Sequence, residues 1–175
     1  MATSKPIAWS EYRPQAFKLF VLSASIVHLW TIFNMFYDMP SWVLRMELWE
    51  LLGSIGYTLA FALIESALVA TPFIAIGLLL PSTWRARNLL SISAIVLLTS
   101  TLLAFALHYT DRLQNYEKLL ALIWLAANLG LGFMAIRFQR MKSVVEQIAD
   151  RLALLVYTFL AADVLGILII LVRNL

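Results

Sequence analysis

The sequence predicts an all-α membrane protein: a bundle of about five transmembrane helices, with the N-terminus cytoplasmic, the C-terminus outside and short interfacial helices between spans. Three observations carry that expectation. Of the 175 residues, 62% are hydrophobic and 13% charged, against roughly half and a quarter in a soluble domain. The apolar tracts are each long enough for the ~20 residues a helical crossing needs. The basic residues gather at the ends of those tracts, where they set orientation.

Taken in order, Lys5, Arg13 and Lys18 precede an apolar stretch that resembles a secretory signal. It continues to about Tyr37, past the roughly 7 to 15 residues of a signal core, and ends without a cleavage site. We therefore expect a retained first span over 16–37. Pro40 disfavours helix at the residue before it, so a turn is expected at Asp38-Met39-Pro40-Ser41. The tract from Trp42 to Leu80 is too long for one upright crossing at ~1.5 Å per residue. An interfacial helix over 41–50 is expected, with Trp42 and Trp49 at headgroup depth, and Gly53 and Gly56 as places to turn inward. The second span then covers 51–80, with Pro72 as a kink and Pro81 as its stop.

The third and fourth spans, 88–109 and 116–138, form a helical hairpin across Asp111, Arg112, Gln114 and Asn115. From 139 to 150 the helical period places Phe138, Met141, Val144, Val145, Ile148 and Leu152 near one face, with Arg140, Lys142, Glu146 and Asp150 elsewhere. That pattern predicts a helix on the cytoplasmic surface. The last span covers 152–172, which makes 1–175 one transmembrane domain with no room for a soluble one.

With the N-terminus inside, the cytoplasmic side collects Lys5, Arg13, Lys18, Arg85, Arg87, Arg137, Arg140, Lys142 and Arg151, and leaves Arg45, Arg112, Lys118 and Arg173 outside. This asymmetry agrees with five crossings and with that orientation; the membrane expected is the plasma (inner) membrane. It also accounts for the net charge of +3 through topology, so no nucleic-acid partner is expected. Trp9, Trp42, Trp49, Trp84, Tyr109 and Tyr116 fall near the predicted interfaces as an anchoring belt.

Ionisable groups inside spans are costly and read first as functional. Counted by helical rise, His28, Glu65, the run Thr99-Ser100-Thr101, Asn128 and Asp163 lie within about two turns of depth. No Lys or Arg lies in the interior of a span, away from its ends, so His28 is the cationic candidate for either carboxyl. One expectation is that His28, Glu65, Asp163, Asn128 and Thr99 line a cavity for a proton, a cation or a small polar solute. The other is that these groups are packing contacts, worth about 0.6 to 2 kcal/mol each. Small residues at four-residue spacing mark close helix approaches: Ala62, Ser66 and Ala70; Ala126 and Gly130; Ala162 and Gly166. They predict a core of the second, fourth and fifth spans that gathers Glu65, Asn128 and Asp163. Arg137, Arg140 and Lys142 are candidates for lipid headgroups, although the same cluster enforces topology.

No cofactor is expected. His28 and His108 differ by roughly two turns in level, too far apart for two axial haem ligands, and inside the spans neither has a metal-type partner at helical spacing. The chain has no Cys, and no nucleotide-binding glycine loop, HExxH or G-x-S-x-G occurs. Soluble-type catalysis is not expected. Glu65 and Asp163 are a carboxyl pair able to act as acid and base, but nothing marks a nucleophile or a substrate.

The layout of five spans with the C-terminus outside resembles the membrane module that precedes the extracellular domain of sulfatase-like lipid-headgroup transferases such as lipoteichoic acid synthases. The resemblance is one of layout, and it implies an anchoring module without its catalytic domain. The function expected from the residues is binding or conduction of a proton, cation or small solute, with membrane lipids and a homo-oligomer or partner subunits around it. The alternative is a non-catalytic anchor or accessory subunit of a larger membrane complex.

Overall fold

The computed structural model describes residues 9–110 and 115–175. The expectations for Lys5, Asp111, Arg112 and Gln114, and for the side chains of Trp9 and Tyr109, lie outside what is described. Five helices follow one another: α1 (Trp9–Arg45), α2 (Leu48–Leu79), α3 (Ser82–Tyr109), α4 (Glu117–Arg137) and α5 (Gln139–Asn174). Among the described residues there is no strand, and each helix contains a stretch long and apolar enough to cross a membrane. The chain is a helical membrane protein, as its composition predicts.

The helix boundaries depart from the expected ones at three places. The turn expected at Pro40 does not form, and α1 runs through it to Arg45. Proline removes the bond to the Phe36 carbonyl, but the Ser41 hydroxyl donates to the Asp38 carbonyl at 2.8 Å and keeps that turn bonded. The chain breaks instead at Met46 and Glu47, where the Glu47 N–H donates to the Glu50 carboxylate at 3.2 Å as a helix start. The segment 41–50 is therefore no separate helix; it is split between the end of α1 and the beginning of α2.

Gly53 and Gly56 lie within α2 and turn nothing, for no glycine has a positive φ among the described residues. Finally, 139–150 and 152–172 form one helix, α5. The residues at the expected junction, Ala149 to Leu152, carry no Gly or Pro to interrupt it. The break lies at Phe138, whose φ −112° and ψ 109° are extended.

The chain divides into two compact units. The first takes α1 up to Leu19 together with Phe73–Asp150. Its core is Tyr12, Ala16, Leu19 and Leu89, with Phe73, Ile74, Leu80 and Leu90 packed against it. Tyr12, Ala16 and Leu19 stand four and three residues apart, one face of α1. The Tyr12 hydroxyl donates to the Ile74 carbonyl at 2.8 Å and lies directly over Gly77, where any side chain would meet it. Within this unit α3 and α4 pack as the expected hairpin.

The second unit takes Phe20–Pro72 and Arg151–Leu175, so α1, α2 and α5 supply it. Ala62, Ser66 and Ala70 of α2 are all buried. Further along, α2 and α5 touch backbone to backbone: a Cβ on Gly56 would stand 2.9 Å from the Gly166 carbonyl oxygen, and one on Gly166 would stand 3.0 Å from that of Gly56. This is the small-residue contact by which membrane helices gain dispersion energy.

Candidate functional site

Three polar groupings emerge from the residues singled out in the spans, and the helical period decides which residue joins which. Hydroxyls inside apolar helices are satisfied first by the carbonyl one turn back. Ser25, Thr58, Ser66, Thr71, Ser100 and Thr101 all make that bond, at 2.6 to 2.9 Å.

The first grouping ties α1, α2 and α5 together in the second unit. His28 Nε2 lies 2.9 Å and 3.2 Å from the two carboxylate oxygens of Asp163, with side chains 1% and 3% exposed. His28 Nδ1 lies 2.8 Å from the Ala24 carbonyl and 3.4 Å from Ser66 Oγ, whose own proton goes to the Ala62 carbonyl at 2.6 Å. Both neighbours of Nδ1 are acceptors, so Nδ1 carries a proton. The Nε2 contact needs one more, shared between imidazole and carboxyl. The Phe159 ring stacks on His28 at 5.2 Å and 12°. Beside them the Ser25 hydroxyl reaches the Leu152 carbonyl at 2.6 Å. The assembly is closed and satisfied.

The second grouping contains Glu65. On a helix, neighbouring residues point about 100° apart, so Ser66 turns to His28 while Glu65 faces elsewhere. Glu65 lines an open cleft of ≈ 380 Å³ whose wall is Trp30, Thr31, Asn34, Met35, Asp38 and Trp42 of α1, and Tyr57, Thr58 and Phe61 of α2. The α1 positions 31, 34, 35, 38 and 42 form one face, as do 57, 61 and 65 of α2. The wall has two carboxyls, four aromatic rings and no basic residue. Glu65 is exposed to this cleft, midway along α2, and makes no hydrogen bond or ion pair among the described residues.

The third grouping lies in the first unit. The Thr99 hydroxyl donates to Asn128 Oδ1 at 2.9 Å, and Asn128 Nδ2 donates to the Trp124 carbonyl at 2.8 Å. Asn128 thus joins α4 to α3. The expected core of second, fourth and fifth spans is not the arrangement found: α4 pairs with α3, while α2 and α5 meet in the other unit. The small pair Ala126 and Gly130 gave a false lead because small residues occur throughout spans. A Cβ on Gly130 would meet nothing within 4 Å.

Of the headgroup candidates, Arg137 and Arg140 are exposed on either side of Phe138. Lys142 stands 3.8 Å from Glu146 and lines a shallow polar pocket with Thr83, Trp84, Arg87 and Asn88. A residue read only for its charge proves buried. Arg85 is 4% exposed, its guanidinium 4.5 Å from the centroid of the Tyr12 ring and its Nη1 donating to the Gly77 carbonyl at 3.1 Å. That carbonyl lies in the last turn of α2, where helix carbonyls lack amide partners. The ring contact is worth about 0.5 to 2 kcal/mol.

Comparison with known protein families, with curated proteins and with solved structures returns no match.

Proposed function

We propose that this protein binds a cation or a proton at Glu65, in the cleft between α1 and α2, and moves it as a small membrane transporter or channel. The observation that carries the reading is a carboxyl midway along an apolar helix that has no partner among the described residues and faces a wall of acceptors and aromatic rings. A charge in such a place is costly unless it is paired or neutralised. A proton neutralises it. A cation pairs with it, and Trp30, Trp42, Tyr57 and Phe61 add the negative faces of their rings. The oxygens of Asn34, Thr31 and Thr58 complete a lining suited to a positive guest. On this reading the His28 and Asp163 pair fastens α5 to the helices that carry the cleft, and Thr99 with Asn128 holds the hairpin. The distribution of basic residues favours a cytoplasmic N-terminus, and the membrane we propose is the plasma membrane.

The test is a titration of the purified protein with tetraphenylphosphonium, a lipophilic cation, followed by quenching of tryptophan emission. Wild type should bind, with protons competing for the same carboxyl, and Glu65→Gln should weaken binding at least tenfold. Equal binding by the Gln variant would sink the proposal.

A second reading has its own support. Helix α4 buries only Ala135, so a partner subunit or second copy has a full apolar face to cover, as in an accessory subunit of a larger complex.

A further inference from the structure

The buried Arg85 points to a second binding site. It lines a pocket of ≈ 260 Å³ in the first unit with Pro14, Gln15, Lys18, Leu19, Leu89, Leu90, Glu146 and Asp150. Burying a guanidinium requires compensation, and the compensation found here is incomplete. Nη1 has the Gly77 carbonyl and the plane has the Tyr12 ring, but Nε has no hydrogen-bond partner. No carboxylate lies within ion-pair distance of Arg85 among the described residues. Of the two acids of the pocket, Glu146 accepts from the Ser91 hydroxyl at 3.1 Å and stands 3.8 Å from Lys142, and Asp150 stands 4.0 Å from Lys18, which lines the same pocket. Gln15 supplies a second buried polar atom without a partner, its Oε1. Since amide oxygen and nitrogen can exchange places by a flip, Gln15 is able to offer an N–H to a guest.

The unsatisfied donor in the pocket is thus the Nε–H of a buried guanidinium, with a second, exposed cation, Lys18, on the same lining beside Asp150. Oxyanions bearing several equivalent oxygens match a guanidinium fork best. Depth narrows the class further, because Arg85 lies just before the apolar stretch Arg87–His108, where a span meets the headgroup layer. We infer that this pocket binds a phosphoryl group, whose oxygens take the Arg85 Nε–H and the Lys18 ammonium. The phosphoryl group belongs to a phospholipid headgroup or to a free phosphate, and the two sources are separable by experiment.

The protein is extracted, stripped of lipid in detergent, and titrated in parallel with inorganic phosphate, with short-chain phosphatidylglycerol and with a diacylglycerol lacking phosphate, reading bound species by native mass spectrometry and the thermal midpoint. Binding of the phospholipid alone assigns a headgroup, and binding of inorganic phosphate as well assigns a free phosphate site. Either supports the inference if Arg85→Gln weakens it at least tenfold and Lys18→Gln about threefold. Arg85→Lys retains a donor for Gly77 and serves if the Gln variant fails to fold; loss of the fork should still weaken binding about fivefold. Equal retention of the phosphate-free lipid, or unchanged binding in Lys18→Gln and Arg85→Lys, would overturn the assignment.

Discussion

At the scale of the residue, the His28 and Asp163 pair is the feature with the most at stake. Removing one member of a buried, hydrogen-bonded pair strands the other, a loss of about 3 to 5 kcal/mol, whereas replacing both by apolar groups is often neutral. His28→Leu and Asp163→Leu should each lower the unfolding midpoint in detergent sharply, and the double variant should recover most of the loss. A double variant as unstable as the sum of the two would show that no coupling exists. Sequence alone placed His28, Glu65 and Asp163 near one depth by counting rises and left His28 as the candidate partner of either carboxyl; the rotation of the helices selects Asp163. The direction of Glu65 was not legible in the same way. One residue separates it from Ser66, and which of the two faces His28 depends on the rotation of α2, set by Gly56 against Gly166. Arg85 was hidden for a related reason: its burial depends on a tyrosine 73 positions earlier, and charge counting sees only chain position.

At the scale of the element, the glycines separate contact from coincidence. Gly56 and Gly166 occupy the α2 and α5 crossing, where an added methyl has no space and overpacking costs about 1 to 3 kcal/mol. Gly130 faces open space on α4, where Ala gains about 0.5 to 1 kcal/mol of helix propensity. We expect Gly56→Ala and Gly166→Ala to lower the thermal midpoint, and Gly130→Ala to leave it unchanged or raise it. A loss of stability at Gly130 would mean that another helix packs there in the membrane. Spans were legible because length and hydropathy are local properties. Their ends were not, because the bias of Pro40 against helix was overridden in α1, and the junction after α4 turns on the single extended residue Phe138.

At the scale of the whole molecule, five apolar helices define a membrane protein, and what surrounds α4 decides between the two functional readings. Native mass spectrometry of the protein released gently from its own membrane should yield it alone or as copies of itself if the cation-binding reading holds. Different subunits in fixed stoichiometry would favour the accessory role and make Glu65 an interface group. An apolar chain without cysteine or a catalytic motif states its solvent plainly and its ligand hardly at all.

The pairing of His28 with Asp163 also has a consequence for biosynthesis. The two residues are 135 positions apart, so at about 5 to 20 residues per second the ribosome takes on the order of ten seconds to supply the partner of a histidine already made. Through that interval α1 waits with an unmatched imidazole, and α2 waits without the helix that Gly56 needs. A nascent chain interrupted before α5 leaves both exposed. Synthesis of α5 is therefore the event that licenses closure of this unit, and a product truncated before it is marked as unfinished by the polar group it cannot cover.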